Sequence, residues 1–184
     1  MIFSEFEVQK TCFNFKDSEQ AMAADCTGTL EEEMTSKTVI KKCRGVTAKS
    51  VTKGTGEGVL TIALHIPYEI YKEGLGMELD TLKDGVLAYG SNSVHKEFCY
   101  TNLVTDEDGV VKYKAYPKCT FASKPTVSIE NGAEEVALVE GAINVTPDEY
   151  GNGVYEALAD GLAEDIASKW MTNFTPDLVQ VATA

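Results

Sequence analysis

The stretch Val59-Leu60-Thr61-Ile62-Ala63-Leu64-His65-Ile66 decides the fold class of this chain. Leu60, Ile62, Leu64 and Ile66 recur at period two while Thr61 and His65 fall on the opposite side, so the segment reads as a strand with one face in a core. Downstream, Pro67 is placed to open a short helix through Tyr68, Ile70 and Tyr71, with Gly74 closing it in the left-handed conformation. Upstream, Gly54, Gly56 and Gly58 read as a turn, preceded by short β-branched runs between Thr38 and Thr52 whose spacing by lysines suits strands with a solvated basic face.

The same patterning continues outward in both directions. Phe98 to Val104 and Val110 to Tyr116 flank Asp106-Glu107-Asp108-Gly109, which predicts an antiparallel hairpin. Val136 to Val145, returning through Val154-Tyr155-Glu156, predicts a second one. Leu158, Leu162, Ile166 and Trp170 recur every four residues and predict a C-terminal helix. Met1 to Phe15 alternates apolar and polar residues ahead of a polar loop, and is expected to be an N-terminal arm or edge strand weakly tied to the core. Residues 176–184 are expected to form an extended tail. Many short strands, few helices and frequent Gly and Asp turns describe a β-dominated fold, an antiparallel β-sandwich or barrel with a short flanking helix and a C-terminal helix.

With 184 residues and 43% hydrophobic content, the chain fits one domain spanning 1–184, and its 24% charged content is too low for disorder. The net charge of −13 argues against tight nucleic-acid binding. The absence of a long apolar run and of a basic-then-apolar start points to a protein made in a cytoplasm, with no membrane partner. Five cysteines, Cys12, Cys26, Cys43, Cys99 and Cys119, without a Cys-x-x-Cys pair, read as reduced thiols that pack as small core hydrophobes.

Chemistry is sparse. Gly54-x-Gly56-x-Gly58 precedes a strand, whereas a phosphate-cradling loop precedes a helix. Asp106-Glu107-Asp108-Gly109 lacks the offsets of a calcium loop and reads as an acidic turn. His65 and His95 are the two histidines, and no nucleophile, imidazole and acid can be assembled around them or Cys99 without assuming a proximity that the sequence does not give. Asn144-Val145-Thr146 and Asn173-Phe174-Thr175 match the glycosylation pattern but each precedes a proline. No catalytic residue, metal site or cofactor is assigned, and an enzyme is not the expected reading. Glu31, Glu32 and Glu33 lie close to Lys37, Lys41 and Lys42, a segregation of charge that fits either a solvated face or an interface.

Several ordered segments together resemble a known group. They are Cys26-Thr-Gly-Thr-Leu-Glu-Glu-Glu-Met, Lys-Lys-Cys43-Arg-Gly45-Val, Leu-His65-Ile-Pro67-Tyr-Glu-Ile-Tyr71, Gly74-Leu-Gly76-Met77, Leu87-Ala-Tyr89-Gly90, Gly-Ala-Ile143-Asn-Val-Thr-Pro147-Asp-Glu-Tyr-Gly151-Asn-Gly-Val-Tyr155-Glu-Ala and Lys169-Trp170-Met. From about Cys26 to Phe174 the chain is similar to the major tail tube proteins of long, flexible-tailed phages. The resemblance implies a β-sandwich with a flanking helix, hexameric rings stacked into a hollow virion tail tube, and loops or terminal arms bridging successive rings. It also implies tape measure, terminator and distal tail proteins as partners, with DNA as cargo that passes without binding. An acidic lumen wall would serve that passage by repelling phosphates. Phe3, Phe6 and Phe13 of the expected arm, the acids Glu31, Glu32 and Glu33, and the bases Lys41, Lys42, Lys49 and Lys53 are the candidate inter-subunit contacts. Two alternatives stand beside this reading: a monomeric β-sandwich binding or adhesion module, and a tube protein of a related contractile secretion system.

Overall fold

A computed structural model describes residues 2–16, 18, 20–24 and 26–181. The strands are β1 (Glu7–Phe15), β2 (Met22–Ala23), β3 (Thr27–Cys43), β4 (Val46–Leu64), β5 (Phe98–Thr105), β6 (Val111–Phe121), β7 (Val139–Val145) and β8 (Tyr155–Leu158). Two short helices, α1 (Tyr68–Gly74) and α2 (Glu164–Trp170), accompany them. All pairings between these strands are antiparallel, in the order β2-β1-β5-β6-β7-β4-β3, with β8 also on β6. The fold is β-dominated, as the period-two reading requires. The sheet curls on itself: Thr27 at the start of β3 donates its hydroxyl to Thr11 Oγ1 in β1 at 2.9 Å, although the two strands lie towards opposite ends of the strand order.

Leu60, Ile62 and Leu64 are buried, as their alternation demands, and meet Phe13, Phe15, Phe98, Tyr100, Phe121, Ile143 and Val145 inside the curl. A second cluster, on the other face of β5 and β6, gathers Trp170, Met171 and Phe174 against Cys99 and Ala115. β5 and β6 are therefore covered on both sides.

Several expectations are corrected. Residues Glu7–Phe15 are no arm: β1 is hydrogen-bonded on both sides, to β2 and β5, with Phe13 and Phe15 in the core. Alternation over only a few residues looks the same in an edge strand as in an inner one, which is why the sequence left the segment at the periphery. Met1 lies outside the described residues. β7 and β8 do not form a hairpin with each other; both pair with β6, β7 at Cys119–Phe121 and β8 at Lys112–Ala115. The tail is partly folded, since Pro176–Val179 is a 3-10 helix whose Leu178 and Val179 pack on the second cluster. Residues 182–184 of the expected tail lie outside the described residues.

The helix that Pro67 opens closes two residues later than expected. Gly74 is its last residue, packed against the Phe121 ring, and the left-handed position is Gly76 at φ 58°. There the Met77 amide reaches back to the Lys72 carbonyl at 3.0 Å, which closes the final turn. The helical spacing from Leu158 materialises only as α2, because Leu158 itself ends β8 and Ala159–Gly161 is a 3-10 turn.

The glycine run is the largest correction. Gly54, Gly56 and Gly58 do not form the hairpin turn; they lie within β4, opposite the step from Met34 to Ser36, where the register shifts. Gly56 has φ 77°, and a Cβ there would stand 2.7 Å from the Gly151 carbonyl oxygen, so the position requires glycine both for conformation and for close approach. The turn is instead Arg44-Gly45, with φ 50° and 79°, the pair of positive angles that suits the twist of a two-residue hairpin.

Candidate functional site: a basic ribbon and a charged seam

Once the turn sits at Arg44-Gly45, β3 and β4 become strands of 17 and 19 residues, longer than any partner can cover. β7 pairs with β4 from Gly58 to Leu64, so beyond the bulge the two strands pair, among the described residues, only with each other. From Lys37 to Ser50 every residue is exposed, Val39, Ile40 and Val46 among them at 63%, 52% and 70%.

The register decides what this ribbon presents. Lys37 lies opposite Lys53, Val39 opposite Val51, and Lys41 opposite Lys49. Directly opposed residues share a face, so one face carries four lysines around a pair of valines. On the other face Thr38 and Thr52 hydrogen-bond through their hydroxyls at 2.8 Å, beside Ile40 and Lys42. Among the described residues, none of these lysines has a carboxylate within ion-pair distance. Like charges placed directly across a ladder destabilise it. The ribbon is thus electrostatically unfavourable on its own.

A second charged feature lies at one end of the curled interior. Lys114 is 3% exposed and reaches Glu32 at 2.6 Å, Glu5 at 3.1 Å and Glu156 at 3.2 Å. Lys112 pairs with Glu5 and, at 3.2 Å, with Glu156, and its ammonium stands 5.0 Å from the centre of the Phe3 ring. Tyr116 donates its hydroxyl to Glu32. Burial alone would lower the Lys114 pKa, but Glu32 and Glu5 outweigh it and the net shift is upward. Burial likewise works to raise the Glu5 carboxyl, yet Lys112 and Lys114 bring it below its ordinary value of 4.5.

The signs follow from linkage. Lys114, raised, contributes stability that is present at neutral pH and lost as pH climbs through its elevated value. Glu5, lowered, contributes stability present above pH 4.5 and lost as pH falls through its depressed value. Lys114→Met should cost somewhat less than the roughly 3–5 kcal/mol of a fully buried pair, because its carboxylate partners keep part of their hydration. Urea denaturation at pH 7 measures this, and the acid limb of the stability profile should flatten in Glu5→Gln.

The predicted contact residues divide. Lys41, Lys42, Lys49 and Lys53 come together on the ribbon, and Phe6 is 75% exposed beside the first strand. Phe13 is 0% exposed in the core and is unavailable to another subunit, because β1 is an inner strand. Glu32 is committed to Lys114 and Tyr116 of its own chain, and Phe3 to Lys112. Glu31 and Glu33, on the alternate side of β3, are exposed. Lys112, Lys114, Glu5 and Glu156 were missed; the period-two spacing Lys112-x-Lys114-x-Tyr116 within a β-rich run is the signal that marks them. The lysine face also had a signal, since Lys37, Lys41, Lys49 and Lys53 are placed symmetrically about Gly45.

The other candidates resolve into structure. His95 donates from Nδ1 to the Phe121 carbonyl at 2.7 Å, which leaves Nε2 to accept from the Tyr89 hydroxyl at 3.0 Å. Cys99 is buried, and burial pushes its thiol up to about 12. Cys119 and Cys12 are buried too, whereas Cys26 and Cys43 are exposed, so the reading as core hydrophobes holds for three of the five. Asp106 Oδ1 accepts from the amides of Asp108 and Val110 at 3.0 and 2.7 Å, a carboxylate spent on its own turn.

No family model and no curated protein matches the chain. Among solved structures it is similar to a chain in the structure of the anti-feeding prophage tube-terminating cap, with 9% identity and TM-score 0.49 over 86% of this chain and 96% of that one. It is also similar to a chain of the anti-feeding prophage baseplate, with 8% identity and TM-score 0.48 over 85% and 97%. Likenesses this shallow transfer no function.

Proposed function

We propose that this chain is a non-enzymatic structural subunit which assembles with copies of itself into stacked rings, the tube of a phage tail, and that DNA passes through the tube without being bound. The observation that carries the reading is the β3–β4 ribbon. A two-stranded hairpin is marginal in water without a further packing surface, and this one adds directly opposed lysines and exposed valine and isoleucine. Lysines on an exposed edge commonly serve to prevent strand addition, but repelling pairs on the face of a ribbon are better matched to an anionic partner.

Copies of the same chain supply that partner. Residues 37–53 contain six cations and no acid, so with −13 overall the rest of the chain carries −19. Each subunit is therefore a basic ribbon on an acidic body, and opposite surfaces steer copies together. The resemblance to tail tube proteins supports the same assembly, and six-fold rings, tape measure and terminator partners and a virion location follow from it. Sedimentation velocity and negative-stain microscopy of concentrated protein at low salt should show rings or tubes that dissociate as salt is raised. A monomer under all these conditions would overturn the proposal. Gel-shift titration should show negligible DNA binding at physiological salt. Micromolar, salt-sensitive binding lost in Lys37→Glu/Lys41→Glu would instead make the ribbon a nucleic-acid site.

A further inference from the structure

The segment between β6 and β7 shapes a groove of about 630 Å³ against the chain just past β4, at His65 and Ile66. Its walls expose Val127, Ile129 and Val136 at 52%, 85% and 82%. Glu130 and Glu135 line it and Glu134 adjoins them, all exposed. Exposed aliphatic side chains rimmed by polar groups mark an interaction surface, and here the rim is anionic.

This surface is the chemical complement of the ribbon, apolar and acidic where the ribbon is apolar and basic. The two lie at opposite ends of one strand. β4 starts at the turn, at Val46, and ends at Leu64, immediately before the groove, so at about 3.3 Å per residue its 19 residues separate them by on the order of 50–60 Å. A subunit cannot fill its own groove with its own ribbon tip.

We infer that the β3–β4 ribbon of one copy docks in the groove between residues 127 and 138 of the next copy, where Lys41 and Lys49 on one face of the ribbon tip and Lys42 on the other meet Glu130, Glu134 and Glu135. This rests on the proposed self-assembly and names its contact. Because the two surfaces are different and lie at opposite ends of β4, the contact is heterologous, and its repetition builds a ring or an open stack instead of closing in a pair.

The experiment compares three proteins by sedimentation and microscopy: wild type, the ribbon variant Lys41→Glu/Lys42→Glu/Lys49→Glu, and the groove variant Glu130→Lys/Glu134→Lys/Glu135→Lys. Each variant alone should lose the large assemblies, and an equimolar mixture should restore them, which also shows that both variants are folded. As a second readout, Ile129→Cys in a Cys26→Ser background should, under dissolved oxygen with a copper catalyst as the oxidant, form an intermolecular disulfide with the exposed native Cys43 at the ribbon tip, abolished by Cys43→Ser. If wild type assembles but the groove variant assembles equally well and no such disulfide forms, the contact is wrong while the tube reading stands. If wild type never assembles and the disulfide is absent, both fall.

Discussion

Lys37→Glu/Lys41→Glu should yield a subunit that is as stable as wild type or slightly more so, yet no longer assembles. Each substitution converts a repelling cross-strand pair into an attracting one, because the register sets position 37 across from Lys53 and position 41 across from Lys49. Opposite charges directly across a ladder contribute roughly 0.2–1 kcal/mol, and like charges cost a similar amount. At these exposed positions salt screening holds the gain to the lower part of that range. Assembly responds in the other direction: the ribbon falls from six net positive charges to two, and its attraction for an acidic body is largely removed. Thermal melting together with sedimentation velocity measures both effects on one sample. A variant that assembles like wild type would show that the lysine face is a solvated surface and would remove the main support for self-association through the ribbon. A variant that unfolds would show instead that the body depends on the ribbon.

The second large effect concerns the N-terminus. Deletion of residues 1–15 should abolish folding, whereas deletion of residues 2–5 should leave a cooperatively melting subunit. β1 lies between β2 and β5, and Phe13 forms ring contacts with Phe98, Tyr100 and Phe121 at centroid distances of 5.2, 4.9 and 6.0 Å. Removing it exposes one side of β5 and takes two buried phenylalanines from the core. Phe13→Ala alone should lower stability by about 3–5 kcal/mol, a large part of the roughly 5–15 kcal/mol available to a domain. Urea denaturation of the point variant and circular dichroism of the truncations decide the matter. A folded protein lacking residues 1–15 would return the segment to the role of an arm.

The strands legible in the chain alone are those whose own side chains alternate without interruption, and the legible hairpin is β5–β6, whose acidic turn lies between its two strands. Both signals are local. The ribbon was half legible: its lysines and β-branched residues were evident, but the glycines drew the turn to 54–58, because a glycine needed for a bulge and one needed for a turn look the same until the close approach of Gly151 is known. At the candidate site, the ribbon lysines were identified from charge alone, whereas the pairing of Lys41 with Lys49 needed the correct turn.

What the sequence determined by itself is the β-dominated class, the β5–β6 hairpin and the concentration of positive charge between residues 37 and 53 on an acidic chain, since periodicity, turn chemistry and charge are carried by consecutive residues. What only the tertiary structure decided is which strands neighbour which: that β1 is internal, that β7 and β8 share β6, that Lys114 is buried among Glu5, Glu32 and Glu156, and that the basic ribbon and the acidic groove lie at opposite ends of β4. The cost of closing a loop rises only slowly with its length, so proximity along the chain exerts little control over the choice of partner. The fit of side chains in one shared core makes that choice.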